Sequence, residues 1–171
     1  MGGDTGGDTG GTSAGTAPGG VVVGVDGSAC AREALAWAGR LAARAGLPLT
    51  VVRAWSVPTA PRPASWEPGF VPPMSDYELA VEQAVADDVA AARLPEGLPV
   101  TCRAVHRAPA EAVVAAADGA ELLVVGVRGW GGALGRLGSL AQAALREASC
   151  PVAVVRSGTT PRIADAGTPP S

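Results

Sequence analysis

The stretch VVVGVDGS, residues 21–28, sets the fold that the rest of the chain completes. Its nearly continuous run of valines is typical of a strand buried on both faces, as in a parallel sheet. The run ends in Asp26-Gly27-Ser28, a combination that favours a tight turn and the start of a helix. A buried strand that leads directly into a helix is the first half of a βαβ unit.

The same alternation of short apolar runs and amphipathic stretches continues along the chain. Apolar runs predict strands at Val21–Val25, Leu49–Val52, Val100–Val105, Leu122–Val125 and Val152–Val155. Between them, apolar side chains at helical spacing predict helices over 29–45, 76–93, 109–117 and 139–148. This order predicts a Rossmann-like three-layer α/β/α fold, in which helices cover both faces of a five-stranded parallel sheet. Ligands of such folds bind at the carboxyl ends of the strands.

The length of 171 residues fits one domain of ordinary size, which we place at residues 20–157. Residues 1–19, rich in glycine and threonine, have no apolar periodicity, and residues 158–171 are similar in kind. We expect both segments to be disordered tails. Within the domain, residues 57–75 hold six of the fifteen prolines, which predicts a long surface loop.

The composition excludes several classes of function. A net charge of −3 and a pI near 5.1 argue against nucleic-acid binding. No apolar run approaches the roughly 20 residues of a membrane helix, and no signal peptide is visible, so we expect a cytoplasmic protein without membrane contact. All 13 basic residues are arginines, which excludes a P-loop and any catalytic lysine. Three scattered cysteines and one histidine offer no zinc site of familiar spacing.

Asp26 follows the first predicted strand directly and is the first candidate site residue. A carboxylate at the carboxyl end of a strand can reach an adenine amine, a ribose hydroxyl or a hydrated metal ion. The alternative is a structural role, in which Ser28 or Asp26 caps the following helix and Gly27 permits the bend. The residues by themselves leave both interpretations open.

The fourth predicted strand leads into a glycine-rich segment, with six glycines among residues 126–139. So few side chains allow a ligand to approach the backbone closely. The segment ends in a helix near Ser139, where free N–H groups and the helix dipole suit an anion, and Arg128 and Arg136 supply cations. We expect Ser139 to cap this helix and to donate to a phosphate oxygen. A merely flexible loop is the alternative, but it would not need glycine and serine at a helix start.

Taken together, these motifs resemble the universal stress protein family. The resemblance rests on VVVGVDGS at 21–28, the pattern GxRG…GS over 126–139, the alanine-rich helix after it and CPVAVV at 150–155, and it covers roughly residues 20–157. It implies a five-stranded parallel sheet in the order 3-2-1-4-5. One branch of the family binds ATP through a Gly-x2-Gly-x9-Gly-Ser/Thr loop, whereas another lacks that loop and binds no nucleotide.

The resemblance to the ATP-binding branch implies ATP or ADP as the ligand, with Mg²⁺ as an accompanying ion. Asp26 would contact the adenosine, and the backbone near Ala54 and Val125 would contact the adenine edge. The ribose and phosphates would meet the glycine-rich loop and the helix start, at Gly126, Arg128, Gly129, Gly138, Ser139 and Leu140.

The chain departs from the family's pattern in three places. Residues 130–137 separate Gly129 from Gly138, one residue fewer than the pattern, and we therefore expect ADP and ATP to bind with similar affinity. Ala141 stands where ATP-binding members often have a second hydroxyl residue. The turn after the third strand, which usually contains glycine, reads HRAP at 106–109.

We therefore predict a nucleotide-binding protein that is not an enzyme and acts as a dimeric stress-response switch. In the implied order, strand 152–155 lies at a sheet edge, which favours a two-fold homodimer through that strand. No second carboxylate accompanies Asp26 in the sequence pattern, so any hydrolysis of ATP should be slow. Two alternatives stay open: an interaction module of the same fold that binds no nucleotide, and a slow ATPase.

Overall fold

A computed structural model of the protein describes residues 19–128, 137–156 and 158. Strands and helices alternate through this part of the chain, in the order β1 Val21–Gly24, α1 Ala29–Ala45, β2 Leu49–Trp55, α2 Met74–Ala91, β3 Val100–His106, α3 Pro109–Ala116, β4 Leu122–Gly126, α4 Ser139–Glu147 and β5 Val152–Val155. Most of the two predicted tails lies outside the described residues. No helix within the described ranges combines the length and the apolar character that crossing a bilayer requires.

The strands form one parallel sheet in the order β3-β2-β1-β4-β5, which confirms the predicted fold class and strand order. The central strand β1 pairs with β2 on one side and with β4 on the other, so that Val21 aligns with both Leu49 and Leu122. Every residue of β1 is buried, as the valine run predicted.

Helices cover both faces of the sheet because β1 sends successive side chains to opposite sides. Val21 and Val23 pack with Leu35 of α1 and Val85 of α2 in one core cluster. Val22 belongs to a second cluster, with Val113 of α3 and Ala141 of α4 as members. Each layer of helices therefore has its own apolar core, and the strand ends remain accessible between the layers.

The predicted bounds of the second and third strands differ from the observed ones. β2 continues past Val52 to Trp55 and pairs with β3 along seven positions, from Leu49 opposite Val100 to Trp55 opposite His106. The apolar pattern missed this extension because Arg53 interrupts it. Unlike the central strand β1, β3 is an edge strand, and Cys102 within it is exposed.

Candidate functional site

A cavity of about 660 Å³ lies at the carboxyl ends of β1, β2 and β4. Its volume falls within the usual range for small-molecule sites, about 300–1,000 Å³. Its position agrees with the rule that open parallel sheets bind ligands outside the carboxyl ends of their strands. Five segments of the chain contribute to its wall: the β1–α1 turn, the end of β2 with the loop after it, α3, the end of β4, and the start of α4.

The β1–α1 turn brings Asp26 to the cavity wall and also supplies the side chain that caps α1. The Oδ1 atom of Asp26 accepts a hydrogen bond from the Ser28 N–H at 2.9 Å. Ser28 is the N-cap of α1, and its Oγ accepts from the Ala31 N–H at 3.2 Å. Gly27 permits the bend with a φ of 81°. The capping role therefore belongs to Ser28, while Asp26 braces the turn and also faces the cavity.

The two ends of the glycine-rich segment meet beside the cavity. Gly126 and Arg128 line the wall as the chain leaves β4. The chain returns at Gly138, whose N–H donates to the Val127 carbonyl at 2.8 Å. The predicted contact residue Gly129 and the cation Arg136 lie outside the described residues, so their predicted roles stay predictions.

The N-terminus of α4 points its first residues into the cavity, where Ser139, Leu140 and Ala141 line the wall. The N-cap is Gly138, so the prediction that Ser139 caps this helix is wrong; Ser139 is already its first helical residue. Gly138 has no side chain with which to cap the helix. The Gln142 N–H bonds to the Gly138 carbonyl, which leaves the N–H groups of residues 139–141 as the helix's donors without an intrahelical partner.

The β2 side of the cavity contains a charged residue that the sequence did not single out. Arg53 lines the wall beside Ala54, and its Nη1 lies 3.4 Å from Oδ2 of Asp88 on α2. Both side chains of this pair are only 11% exposed. Burial raises the pKa of Asp88 above its ordinary value, an effect that Arg53 and Arg32 oppose and that the negative charge of Asp26 reinforces.

The proline-rich loop supplies another part of the wall that the sequence missed. Residues 58–61, within the predicted surface loop 57–75, line the cavity. The loop is fixed just before them, because the Ser56 N–H donates to Oγ1 of Thr59 at 2.9 Å. The sequence could have indicated this role only through the position of the loop, which follows the carboxyl end of β2.

The side chains of Val125 and His106 do not line the cavity. The side chain of Val125 is fully buried in the core cluster on the α3 and α4 side. His106 is exposed at the end of the edge strand β3, and its ring lies 4.6 Å from that of Trp55, centroid to centroid. Across the described ranges, no three histidine, cysteine or carboxylate side chains are grouped so as to hold a metal ion.

Comparisons with known proteins identify the family. The sequence profile of the universal stress protein family matches residues 20–156. A universal stress protein of Mycobacterium tuberculosis is 36% identical over 149 residues, which cover 81% of this chain and 48% of that protein. One of Mycolicibacterium smegmatis is 37% identical over 148 residues, 80% of this chain and 47% of that protein. The chain thus spans about half the length of these curated relatives.

Solved structures agree with this assignment. A crystal structure of a universal stress protein in complex with cAMP is 31% identical, with a TM-score of 0.54, over 81% of this chain and 97% of that one. A member of the family from Burkholderia pseudomallei is 27% identical, with a TM-score of 0.55, over 79% and 93% of the two chains. From its strand order, the position of its cavity and these matches, the chain belongs to the universal stress protein family.

Proposed function

We propose that this chain binds an adenine nucleotide, ATP or ADP, in the cavity at the carboxyl ends of its strands. The observation that carries the proposal is the start of α4, which faces the cavity and whose N-cap residue, Gly138, has no side chain to accept from the first turn. Unpaired N–H groups at a helix N-terminus form an anion site, because they donate along the positive end of the helix dipole. The relative crystallised with cAMP, at 31% identity, supports an adenine nucleotide as the ligand.

The cavity wall divides into parts that suit the parts of a nucleotide. The N–H groups of residues 139–141 and the guanidinium of Arg128 are donors for phosphate oxygens. Asp26 is an acceptor for ribose hydroxyls or the adenine amine, and the backbone at Ala54 and Val125 would meet the adenine edge. Gly138 would contribute close approach rather than a hydrogen bond, because its N–H is already bonded to Val127.

Magnesium would enter this site with the nucleotide. Asp26 is the one carboxylate among the described lining residues, and Mg²⁺ in nucleotide sites is commonly held by one or two carboxylates together with phosphate oxygens. The residues present therefore suit a Mg²⁺ ion that is bound mainly by the phosphates. Such an ion would neutralise phosphate charge beside the start of α4.

Titration calorimetry of the full chain with ATP, ADP, AMP and adenosine tests the proposal. We expect ATP and ADP to bind with similar affinity, and both to bind at least about ten-fold more tightly than adenosine, since phosphate contacts are charge-assisted. GTP is the control for base recognition. If none of the adenine compounds binds at millimolar concentration, the chain is instead an interaction module of this fold that binds no nucleotide.

We expect binding without efficient turnover. General acid–base catalysis of hydrolysis needs a side chain placed to take a proton from water. The described lining residues include no histidine or lysine and a single carboxylate, Asp26, which already accepts from the Ser28 N–H. Phosphate release from ATP should therefore be much slower than about one turnover per second, the low end of typical enzyme rates. A release rate well above that figure would favour the ATPase alternative.

A homodimer through β5 completes the proposed function. β5 is an edge strand, and it joins β4 through the Leu123 N–H to the Pro151 carbonyl and the Val127 N–H to the Val155 carbonyl. Because successive residues of a strand direct their backbone groups to alternate sides, Val152 and Val154 direct theirs to the free edge. A free edge of apolar residues invites pairing with a second copy.

Val154→Pro tests the dimer and leaves the β4–β5 hydrogen bonds in place, because the N–H that it removes does not face β4. We expect monomers of this variant and dimers of the wild type in light scattering at micromolar concentration. Val154→Thr keeps both the N–H and the side-chain shape, and should remain dimeric. A monomeric wild type would contradict the proposed dimer.

The cavity and the dimer edge share a backbone segment, which is the basis for a switch. Val127 accepts from Gly138 at the cavity and donates to Val155 of β5. We expect ATP to change the dissociation constant of the dimer by at least about five-fold in sedimentation experiments, the lower end of ordinary allosteric coupling. An unchanged dissociation constant at saturating ATP would separate nucleotide binding from assembly.

A further inference from the structure

Arg53 is a buried charge at the wall of the cavity, and it is only 9% exposed. Its position is fixed from two sides. Asp88 of α2 accepts from its Nη1 at 3.4 Å. On the other side the guanidinium lies against Gly27, where an added Cβ would stand 3.4 Å from Nη1 and 3.5 Å from Nη2. Arg53 therefore borders the same turn that places Asp26 in the cavity.

The guanidinium has donors beyond those that the protein uses. Arginine carries five N–H groups, and within the described residues Asp88 is the only side chain to which Arg53 donates. Arg32, the neighbouring cation, is used differently, because its Nη1 donates to the Gly27 carbonyl at 2.6 Å. A buried ion pair contributes little net stability compared with apolar residues of similar size. Stability alone therefore gives no reason for an arginine at this wall.

We propose that Arg53 determines sugar specificity and, together with Asp26, recognises the vicinal hydroxyls of ribose. This inference rests on the nucleotide binding proposed above. Each hydroxyl of a vicinal diol both donates and accepts a hydrogen bond. A carboxylate beside a guanidinium is complementary to such a pair, because Asp26 accepts and Arg53 donates. Asp88 then acts as a positioning residue that holds the guanidinium at the wall.

The arrangement predicts discrimination between ribose and its deoxy forms. Removing one hydroxyl from the ligand takes away one hydrogen bond to Asp26 or to the buried guanidinium of Arg53. Sites built to hydrogen-bond a hydroxyl reject analogues that lack it, because the protein's polar groups lose their partners. We expect the wild type to bind at least one of 2′-deoxy-ATP and 3′-deoxy-ATP about ten-fold more weakly than ATP.

Calorimetric titration of the full chain with ATP, 2′-deoxy-ATP and 3′-deoxy-ATP tests the inference. The main variant is the double substitution Arg53→Met with Asp88→Leu, which replaces the buried pair by apolar side chains and leaves no uncompensated charge. Because Asp26 remains in this variant, we expect its discrimination against the more weakly bound deoxy nucleotide to fall by at least about three-fold relative to the wild type. Arg53→Lys is the second variant; it keeps a cation beside Asp88 but loses the planar fork, and should reduce the discrimination below about three-fold.

The matched control removes another arginine–carboxylate pair. Arg107, in the turn after β3, and Glu111 of α3 form an exposed ion pair, 3.5 Å apart, and neither lines the cavity. The double substitution Arg107→Met with Glu111→Leu should keep the wild-type discrimination. Thermal melts of all the variants establish that they are folded. Discrimination lost in the Arg53 variants and kept in the control supports the inference.

Two failures have different meanings. If the wild type binds no ATP, the proposed nucleotide site is wrong, and sugar recognition falls with it. If the wild type binds ATP and its deoxy forms equally, or if the Arg53 variants keep the full discrimination, nucleotide binding stands and the role of Arg53 is overturned. Should the double variant not fold, Arg53→Lys alone decides between these outcomes.

Discussion

The two helices that begin at the cavity, α1 and α4, differ in how their first N–H groups are satisfied. At α1, Oγ of Ser28 accepts from the Ala31 N–H, and Asp26 braces the turn before it. At α4 the N-cap is Gly138, which has no side chain to accept from the first turn. A helix start that satisfies its own donors stabilises the fold, whereas one that leaves them unpaired has them available for an anion.

Ser139→Glu should have the largest effect on ATP affinity, because it gives the start of α4 an acceptor of its own. A carboxylate in the first turn of α4 would occupy the donors and repel phosphate, and such like-charge contacts cost several kcal/mol. We expect ATP affinity to fall by about a hundred-fold or more. The same charge interacts favourably with the helix dipole, so the free energy of unfolding should rise by about 0.3–1 kcal/mol. Calorimetry and urea denaturation measure these two opposite changes.

Ala29→Glu at the start of α1 is the matched control. Ala29 is exposed, is the first residue of α1 and does not line the cavity. The added charge should raise stability by a similar amount and change ATP affinity by less than about three-fold. An equal loss of affinity in both variants would mean that net charge, rather than the start of α4, controls binding.

Asp26→Ala should have the next largest effect, because it removes an ionised acceptor from the cavity. The loss of a charge-assisted hydrogen bond of about 1.5–3 kcal/mol predicts ATP binding weaker by about ten- to a hundred-fold. Asp26→Asn keeps an oxygen for the Ser28 N–H and so separates bracing from ligand contact. If ATP affinity is unchanged in both variants, Asp26 acts only in the turn, whatever happens to their stability.

Ser28→Ala tests the other helix of the comparison, the capped helix α1. It removes the N-cap of α1 and leaves the buried Ala31 N–H without its partner. The free energy of unfolding should fall by about 1 kcal/mol, measured as a lower urea midpoint with an unchanged slope. Nucleotide affinity should change by less than about two-fold, because the Ser28 backbone N–H still braces Asp26. A large loss of affinity would show that α1 contributes to the anion site.

The smallest effect concerns Asp88 and the pH dependence of stability. Burial raises the pKa of Asp88 above its ordinary value of 3.8, so the folded protein binds this proton more tightly than the unfolded chain does. Stability from this group is therefore present at low pH and is lost as pH rises from 3.8 through the raised folded pKa. Asp88→Asn cannot titrate. The stability of the wild type relative to this variant should thus decrease across that window and then level off, as measured by urea denaturation at stepped pH. If the stability of the wild type relative to Asp88→Asn instead increased with pH, the pKa of Asp88 would have to be lowered in the folded protein.

The outline of the fold and half of the site were predictable because they depend on local sequence. The valine run at 21–25 needs burial on both faces, and the alternation of such runs with amphipathic helices leaves few parallel topologies. Asp26 and Ser139 could be identified because each follows directly from a strand end or a glycine-rich turn. The cap of α4 was misassigned by one residue, since glycine and serine both start helices and only the backbone path distinguishes them.

The sequence by itself determined the layer order, the buried central strand and the presence of a polar strand exit beside a glycine-rich loop. Only the tertiary structure decided which distant residues complete the cavity. Arg53 and Asp88 are 35 residues apart, and the proline-rich residues 58–61 carry no chemical signature of a binding wall. Their roles arise because packing α2 against β2 removes both charges from water, and each charge then needs the other nearby. No local pattern records that pairing, since its cause is a desolvation that exists only in the folded chain.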